Sequence, residues 1–412
     1  MRQYPPGFLS LSASVACERF GFFLLASLLL LYLSQRLGFT TAQATEILGT
    51  FVAATYVSPL LVGFLTDGRL GAVRTASIGY LVAAVGYALL LAEGRWTLLF
   101  GLGLIAVGAG ATKAAPQTLA TRLLADTPEL RDRGLTLIYL LANVSAVVSP
   151  VIGETARAWL GWPAAFALAS LSLVAGWLIL QTQSTTIGNA ERAETESTTA
   201  NHCEGSRSLL LLLGLCMLSV LYSVTHMQAH STILLWARDS TDRRLLDWEL
   251  PVPYVASLHA GLVLAVAPLL ARAMARLRSR PGLPAATTKI ALGMAATSLA
   301  FVPLAIATLT VSRDSQAGLG WLLACLSLLS VGELLVGALG PSLVLRLAPS
   351  NSSGRWIGAW YGSTAIGFWF AGRLGSLWDE VPHTQFFTGL VALSLLGVFV
   401  SAGLARSLVR SA

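Results

Sequence analysis

Glu18 and Arg19 stand side by side inside the apolar run Ser12-Ala-Ser-Val-Ala-Cys-Glu18-Arg19-Phe-Gly-Phe-Phe-Leu-Leu. A charge at bilayer depth costs roughly 2.5–3.5 kcal/mol on insertion scales and is tolerated where it faces protein interior or a water-filled cavity. The pair therefore reads as a functional site. A carboxylate can take up a proton, and a guanidinium can hold an anion in a forked grip. Other polar residues sit in similar surroundings. Lys113 lies in Gly108-Ala-Gly-Ala-Thr-Lys113-Ala and Glu333 in Ser330-Val-Gly-Glu333-Leu-Leu, while Asn143 and His259 interrupt two further apolar runs. At 1.5 Å per helical residue, Arg19 lies roughly 16 Å from one membrane face, Lys113 and Asn143 roughly 12 Å, His259 roughly 16 Å and Glu333 roughly 18 Å. Two cations from the first half of the chain and one carboxylate from the second thus share a depth. The set suits a zwitterion, its carboxylate on Arg19 and Lys113 and its amine on Glu333.

The elements that must hold these residues follow from composition. The chain has 412 residues, 55% hydrophobic and 11% charged, against about 25% charged in soluble domains. It reads as an all-α integral membrane protein. The net charge of +7 is spread over short loops and forms no single face, which argues against nucleic acid as a partner. Twelve apolar segments are long enough to span a bilayer as helices: Phe8–Leu33, Ala44–Leu65, Thr75–Leu91, Thr97–Thr121, Leu135–Ala156, Trp162–Leu180, Ser208–Leu235, Val252–Leu270, Ala286–Val311, Leu319–Leu345, Gly354–Leu377 and Phe386–Leu408. A polar stretch divides them into six-helix halves, giving an N-terminal bundle over 1–182, a linker over 183–206 and a C-terminal bundle over 207–412. With both termini in the cytoplasm, about 17 basic residues fall on that side and about 8 outside, the expected bias. The short polar run before the first span lacks a small-residue cleavage site, so no removable signal peptide is expected. The pattern is that of a secondary transporter of the major facilitator type in a cell (inner) membrane, with the bilayer and a small-molecule substrate as its expected partners and a monomeric state expected. No Walker A, HExxH or GxSxG string occurs, so neither ATP nor enzymatic chemistry is expected. The four cysteines form no motif, and His226 and His230 share a helix face without a third ligand, so neither a metal nor a cofactor is implied.

Several strings resemble the proton-dependent oligopeptide transporter family, a branch of the major facilitator superfamily. Glu18-Arg19-Phe20 is similar to the second half of its E-x-x-E-R-F motif. Pro59-Leu-Leu-Val-Gly63-Phe-Leu-Thr-Asp67-Gly-Arg-Leu-Gly71-Ala-Val-Arg74-Thr75 resembles its loop between helices two and three, and Gly108-Ala-Gly110-Ala-Thr-Lys113 its G-x-G-x-x-K-P-N. Arg131-Asp132-Arg-Gly134, then Ile138-Tyr139-Leu-Leu-Ala-Asn143, resembles R-D-x-G and F-Y-x-x-I-N. Gly332-Glu333 with Gly340-Pro-Ser342 resembles the helix-ten signature, and Trp248-Glu-Leu-Pro251 with Ala256-Ser257-Leu258-His259 the approach to helix eight. The resemblance implies that Arg19 and Lys113 bind a peptide carboxylate, that Glu333 and Asn143 bind its amino terminus, and that Tyr56 lines the pocket. It implies that Glu18 belongs to the proton-coupling network, and that Asp67, Arg74 and Thr75 latch the cytoplasmic face.

The chain departs from that family at telling positions. Val15 replaces the first glutamate of E-x-x-E-R, removing one carboxylate from the coupling cluster. Phe22 and Phe23 replace paired tyrosines, Ala114-Ala115 replaces Pro-Asn after the helix-four lysine, and His259 replaces an asparagine. Many bacterial members insert two helices where this chain has only its linker. Histidine offers a substitute for the lost carboxylate, since an imidazole titrates near pH 6.5; Glu333, His259 and His226 join Glu18 as candidates for proton coupling. His226-Met-Gln228 is also similar to an H-x-Q stretch in the family's plant nitrate carrier. The expected function is secondary active transport of small peptides or peptide-like compounds, coupled to protons, by alternating access around a mid-membrane site. Export of a peptide-derived natural product, carriage of a small anion such as nitrate, and a non-transporting membrane sensor remain as alternatives.

Overall fold

The computed structural model describes residues 4–66, 71–124, 128–187, 206–276, 283–311, 315–337, 339–348 and 353–409. The helices run α1 (Phe8–Leu31), α2 (Thr41–Thr66), α3 (Ala72–Leu89), α4 (Arg95–Leu123), α5 (Pro128–Leu160), α6 (Trp162–Thr182), α7 (Ser206–His226), α8 (Thr232–Asp239), α9 (Tyr254–Arg276), α10 (Leu283–Ala307), α11 (Leu319–Gly332), α12 (Leu339–Leu347), α13 (Ser353–Gly375) and α14 (His383–Val409). A π turn at Tyr32–Arg36 closes α1, a 3-10 turn at Met227–His230 joins α7 to α8, and a π turn at Glu333–Gly337 follows α11. Among the described residues, eleven helices are long and apolar enough to cross a membrane. This is a multi-pass membrane protein. The remaining expected span, Gly354–Leu377, is also helical, as α13, but Arg355 and a high content of Gly, Ser, Trp and Tyr make it less apolar than its neighbours. Most of the linker expected at 183–206 lies outside the described residues.

Contacts divide the chain into two compact units. Unit 1 comprises Met1–Phe39 and Ala54–Thr199, and unit 2 comprises Thr40–Ala53 and Ala200–Ala412. The first half of α2 thus packs with the second unit.

In membrane interiors, close packing of small residues and interhelical hydrogen bonds replace the hydrophobic effect as the force between helices. Unit 1 shows both. Glycines seven apart on α3 meet glycines seven apart on α4: a Cβ on Gly79 would lie 2.4 Å from the Ala111 methyl, and one on Gly86 2.7 Å from the Gly101 carbonyl. Ser170 Oγ on α6 donates to the Ala84 carbonyl of α3, and Ser145 Oγ on α5 donates to the Ala16 carbonyl of α1.

Unit 2 uses the same devices. The Ser219 and Thr364 hydroxyls bond α7 to α13 at 2.8 Å, and Ser298 Oγ on α10 donates to the Val391 carbonyl of α14. An aromatic group of Trp236, Trp378, Phe386, Phe387 and His383 caps one end. There, strand β1 (Thr241–Asp242) pairs in parallel with β4 (Ala317–Gly318), and β2 (Arg244–Leu245) pairs antiparallel with β3 (Trp248–Glu249). The Arg244 amide donates to Asp242 Oδ1 and holds that exposed carboxyl below its ordinary range. The opening segment of α2 lies against α13 where Gly49 meets Gly372; a Cβ on Gly49 would stand 2.6 Å from Gly372 Cα. One turn away, Glu46 pairs with Arg373 at 2.7 Å.

Candidate functional site

Unit 1 gathers Glu18, Arg19, Lys113 and Tyr56, all expected from sequence, and adds Phe22. Glu18 is buried and pairs with its neighbour, Arg19 Nε lying 2.6 Å from Glu18 Oε2. That oxygen has no aligned hydrogen-bond donor, so the contact is an ion pair without hydrogen-bond geometry. Val15, one turn earlier, offers no second carboxylate.

Lys113 Nζ donates to the Thr55 carbonyl (3.2 Å) and the Thr55 hydroxyl (3.0 Å). It stands 4.4 Å from the centre of the Tyr56 ring and 5.0 Å from that of Phe22. The Arg19 guanidinium lies 5.7 Å from the same Phe22 ring. The π face of an aromatic ring attracts cations, so Phe22 is a platform shared by both. Sequence reading registered Phe22 only as the loss of a hydroxyl. The glycine string before Lys113 explains the lysine's placement: a Cβ on Gly110 would lie 2.7 Å from the Ser58 carbonyl carbon, so only glycine lets α4 approach α2 closely enough for Nζ to reach Thr55.

Asn143 is also in unit 1. Its amide donates to the Tyr139 carbonyl of its own helix at 2.9 Å. Of the expected latch, Asp67 lies outside the described residues. Arg74 is exposed, and the Thr75 hydroxyl donates to the Gly71 carbonyl.

In unit 2, Glu333 opens the π turn after α11 and is met by two imidazoles: Glu333 Oε2 is 3.6 Å from His259 Nε2 and 3.8 Å from His226 Nε2. The Tyr222 ring stacks on His226, with centroids 5.1 Å apart. His230, which sequence reading left out of the site, closes the 3-10 turn and lies 6.4 Å, ring to ring, from His259.

Gln228 holds this break in the helix. Its amide donates to the Val224 carbonyl at 2.9 Å and points toward the Ala371 carbonyl at 3.5 Å, while its oxygen accepts from Ser231 and Thr232. In the H-x-Q string, Gln228 is therefore occupied by the fold. Among the described residues, no group of three or more His, Cys, Asp or Glu side chains could hold a metal ion. The 3-10 and π irregularities carry the signal sequence reading lacked, since such turns inside long helices recur at functional sites.

These two polar clusters lie in helices arranged as in known transporters. The model of the Major Facilitator Superfamily matches residues 11–372. The chain belongs to that superfamily. Similar curated proteins include dipeptide and tripeptide permease A of Erwinia pyrifoliae, 26% identical with 95% of this chain and 89% of that one covered. The protein of the same name in Escherichia coli strain K12 is 24% identical, with 98% and 90% covered. Two solved structures share the fold. One is a peptide transporter POT in complex with sulfate (TM-score 0.86, 19% identity, 98% and 97% covered), and the other a POT family transporter in complex with 5-aminolevulinic acid (TM-score 0.84, 17% identity, 96% and 95% covered). The motif resemblance to the peptide-transporter branch of the superfamily is borne out by these relatives.

Proposed function

We propose that this superfamily member is a secondary active transporter of small peptides or peptide-like zwitterions in a cell membrane, with both termini cytoplasmic and protons as the coupled ion. One observation carries the reading. Lys113 is a largely buried ammonium whose direct contacts are neutral: a carbonyl, a hydroxyl and two aromatic rings. Arg19 already has Glu18, so the cluster holds two cations against one acid. A buried charge calls for a counter-charge, and a ligand carboxylate supplies one.

The amine end of the ligand goes to Glu333, beside His259. The names of the permease relatives and the 5-aminolevulinic acid bound to one structural neighbour, itself an amine and a carboxylic acid, support the same class. Asn143, Tyr56 and His259 join Arg19, Lys113 and Glu333 as contacts to the cargo. Glu18, Glu333, His259 and His226 handle the proton, and Asp67, Arg74 and Thr75 form the latch. The cargo is moved without being chemically altered.

Purified protein in liposomes, preloaded with a dipeptide, tests this by counterflow. The free dipeptide should exchange, its C-terminal amide should compete poorly, and the N-acylated form should also compete poorly. Equal competition by the amide and the free acid would remove Arg19 and Lys113 from the site.

A further inference from the structure

Three imidazoles and one carboxylate converge in unit 2, and three of the four come from places where regular helix ends or changes. His226 ends α7, His230 ends the 3-10 turn, His259 sits on α9, and Glu333 begins the π turn. The rings are strung out rather than clustered about a point: His230 to His259 is 6.4 Å and His226 to His259 is 5.9 Å between centroids. Glu333 Oε2 lies 3.6 Å from His259 and 3.8 Å from His226. A closure of about 1 Å would bring either contact to hydrogen-bond length.

Three ring nitrogens are buried without a hydrogen-bond partner: His226 Nδ1, His230 Nδ1 and His259 Nε2. Orphaned buried polar atoms are uncommon and mark sites with a role beyond packing. His230 lies one turn beyond His226 toward the 240–253 loop, and His259 lies five residues after α9 begins on the other side of that loop. Helix α8 separates His230 from that loop, so the string runs to Glu333 from a point within the helices on the loop side.

Several other ionisable groups on the helices packed around it are engaged elsewhere or exposed; Lys289 on α10 is partly buried, and Cys325 on α11 is buried. Arg373 on α13 pairs with Glu46, His383 on α14 stacks on Trp378, and Tyr361 on α13 packs in the apolar cluster with Leu212 and Trp360. Arg346 and Arg355 are exposed. Glu333 and Tyr222 are the groups that face the imidazoles directly.

We propose that His230 and His259 form a proton relay that leads to Glu333 from the side of the 240–253 loop, with His226 as the second imidazole on that carboxylate. This rests on the transport reading above and extends it to His230. In each step, an imidazole accepts a proton on one ring nitrogen and releases the proton on the other, so each ring returns to neutrality in the alternate tautomer. The last transfer protonates a Glu333 oxygen. The relay supplies what Val15 removed from α1, a second protonatable group within reach of the first. His230 acts through His259 and is a positioning residue for the proton rather than a contact to cargo.

The test uses the full chain in liposomes with two readouts, dipeptide counterflow at equal pH and dipeptide accumulation driven by a pH gradient. In His230→Gln, counterflow should stay within about twofold of wild type while gradient-driven accumulation falls roughly tenfold or more, the scale of a lost proton-transfer group. His230→Asn should repeat this, which guards against a folding defect peculiar to one variant. Wild-type accumulation in both variants would overturn the relay. If the wild type shows no counterflow at all, the transport reading fails by itself, and the relay is judged from the ring-carbon NMR titration of histidine-labelled protein. His230→Gln should then shift the titrations of His226 and His259; titrations that ignore the substitution overturn the relay.

Discussion

In unit 1 the buried charges ride on helical segments that stay regular, and in unit 2 the titratable groups sit where helices break. Arg19 and Lys113 occupy the middles of α1 and α4 and are held by what neighbouring helices offer them: an adjacent carboxylate, a threonine, and the faces of Phe22 and Tyr56. Glu333, His226 and His230 instead flank a π turn and a 3-10 turn. The difference suits the two tasks. A site that binds a fixed negative charge benefits from rigid cations, because ordering is done in advance. A site that must exchange protons and change shape benefits from segments with loosened backbone bonding, where 3-10 and π turns mark hinges.

Lys113→Gln strikes at the rigid side of this contrast and should have the largest effect. Removing one partner of a buried charge contact costs about 3 kcal/mol, or roughly 150-fold in affinity. Binding of a free dipeptide, measured by competition in counterflow, should weaken on that scale, while its C-terminal amide should change little. A loss of less than about threefold would mean that the cation does not meet the ligand.

Gly110→Val tests whether the rigidity comes from helix contact. The new side chain would start 2.7 Å from the Ser58 carbonyl carbon and 2.8 Å from its oxygen, and backbone cannot give way as a flexible side chain can. Overpacking of this kind costs about 2–3 kcal/mol, so the thermal midpoint in detergent should fall. Gly103→Ala on the same helix meets nothing within 4 Å and should be neutral or stabilising by about 0.5–1 kcal/mol. Equal midpoints for the two variants would break the argument that α4 must touch α2.

Gln228→Ala probes the broken helix. It removes an acceptor for two hydroxyls and the donor to the Val224 carbonyl, all buried. The expected loss is about 2 kcal/mol of stability, seen as faster amide exchange confined to residues 224–232. Exchange that stays protected there would show that the 3-10 turn is held by something else.

The parts of this molecule that sequence could reveal are those written locally. Nine of the eleven apolar spans differ from expectation mainly at their ends, because hydropathy is a property of consecutive residues. The exceptions in kind are the seventh expected segment, Ser208–Leu235, interrupted by the 3-10 turn at Met227–His230, and the tenth, Leu319–Leu345, interrupted by the π turn at Glu333–Gly337. Nothing in Met-Gln-Ala-His forbids a helix; the break depends on Gln228, bonded within its own segment and directed at Ala371, 143 positions away. Arg19, Lys113 and Glu333 stood out as charges in apolar runs. Glu46 and Arg373 did not show themselves as a pair, because 327 positions separate them and each sits near a helix end where charge is ordinary.

Phe22 is the residue whose meaning changed most, and it supports the smallest and most discriminating prediction. As a letter it is a tyrosine without its hydroxyl; in the fold its ring serves the guanidinium of Arg19 and the ammonium of Lys113 together. A cation over a ring contributes about 0.5–1 kcal/mol when exposed and about 2 when desolvated. Phe22→Leu keeps most of the volume and deletes the π face, so free-dipeptide affinity should fall by about 1 kcal/mol, roughly fivefold. Phe22→Tyr keeps the face and should stay near wild type. If hydroxyl loss were what mattered at this position, the order would reverse, with Phe22→Tyr gaining affinity and Phe22→Leu resembling wild type. The ratio between the two variants separates a ring that steadies cations from a ring that merely fills space.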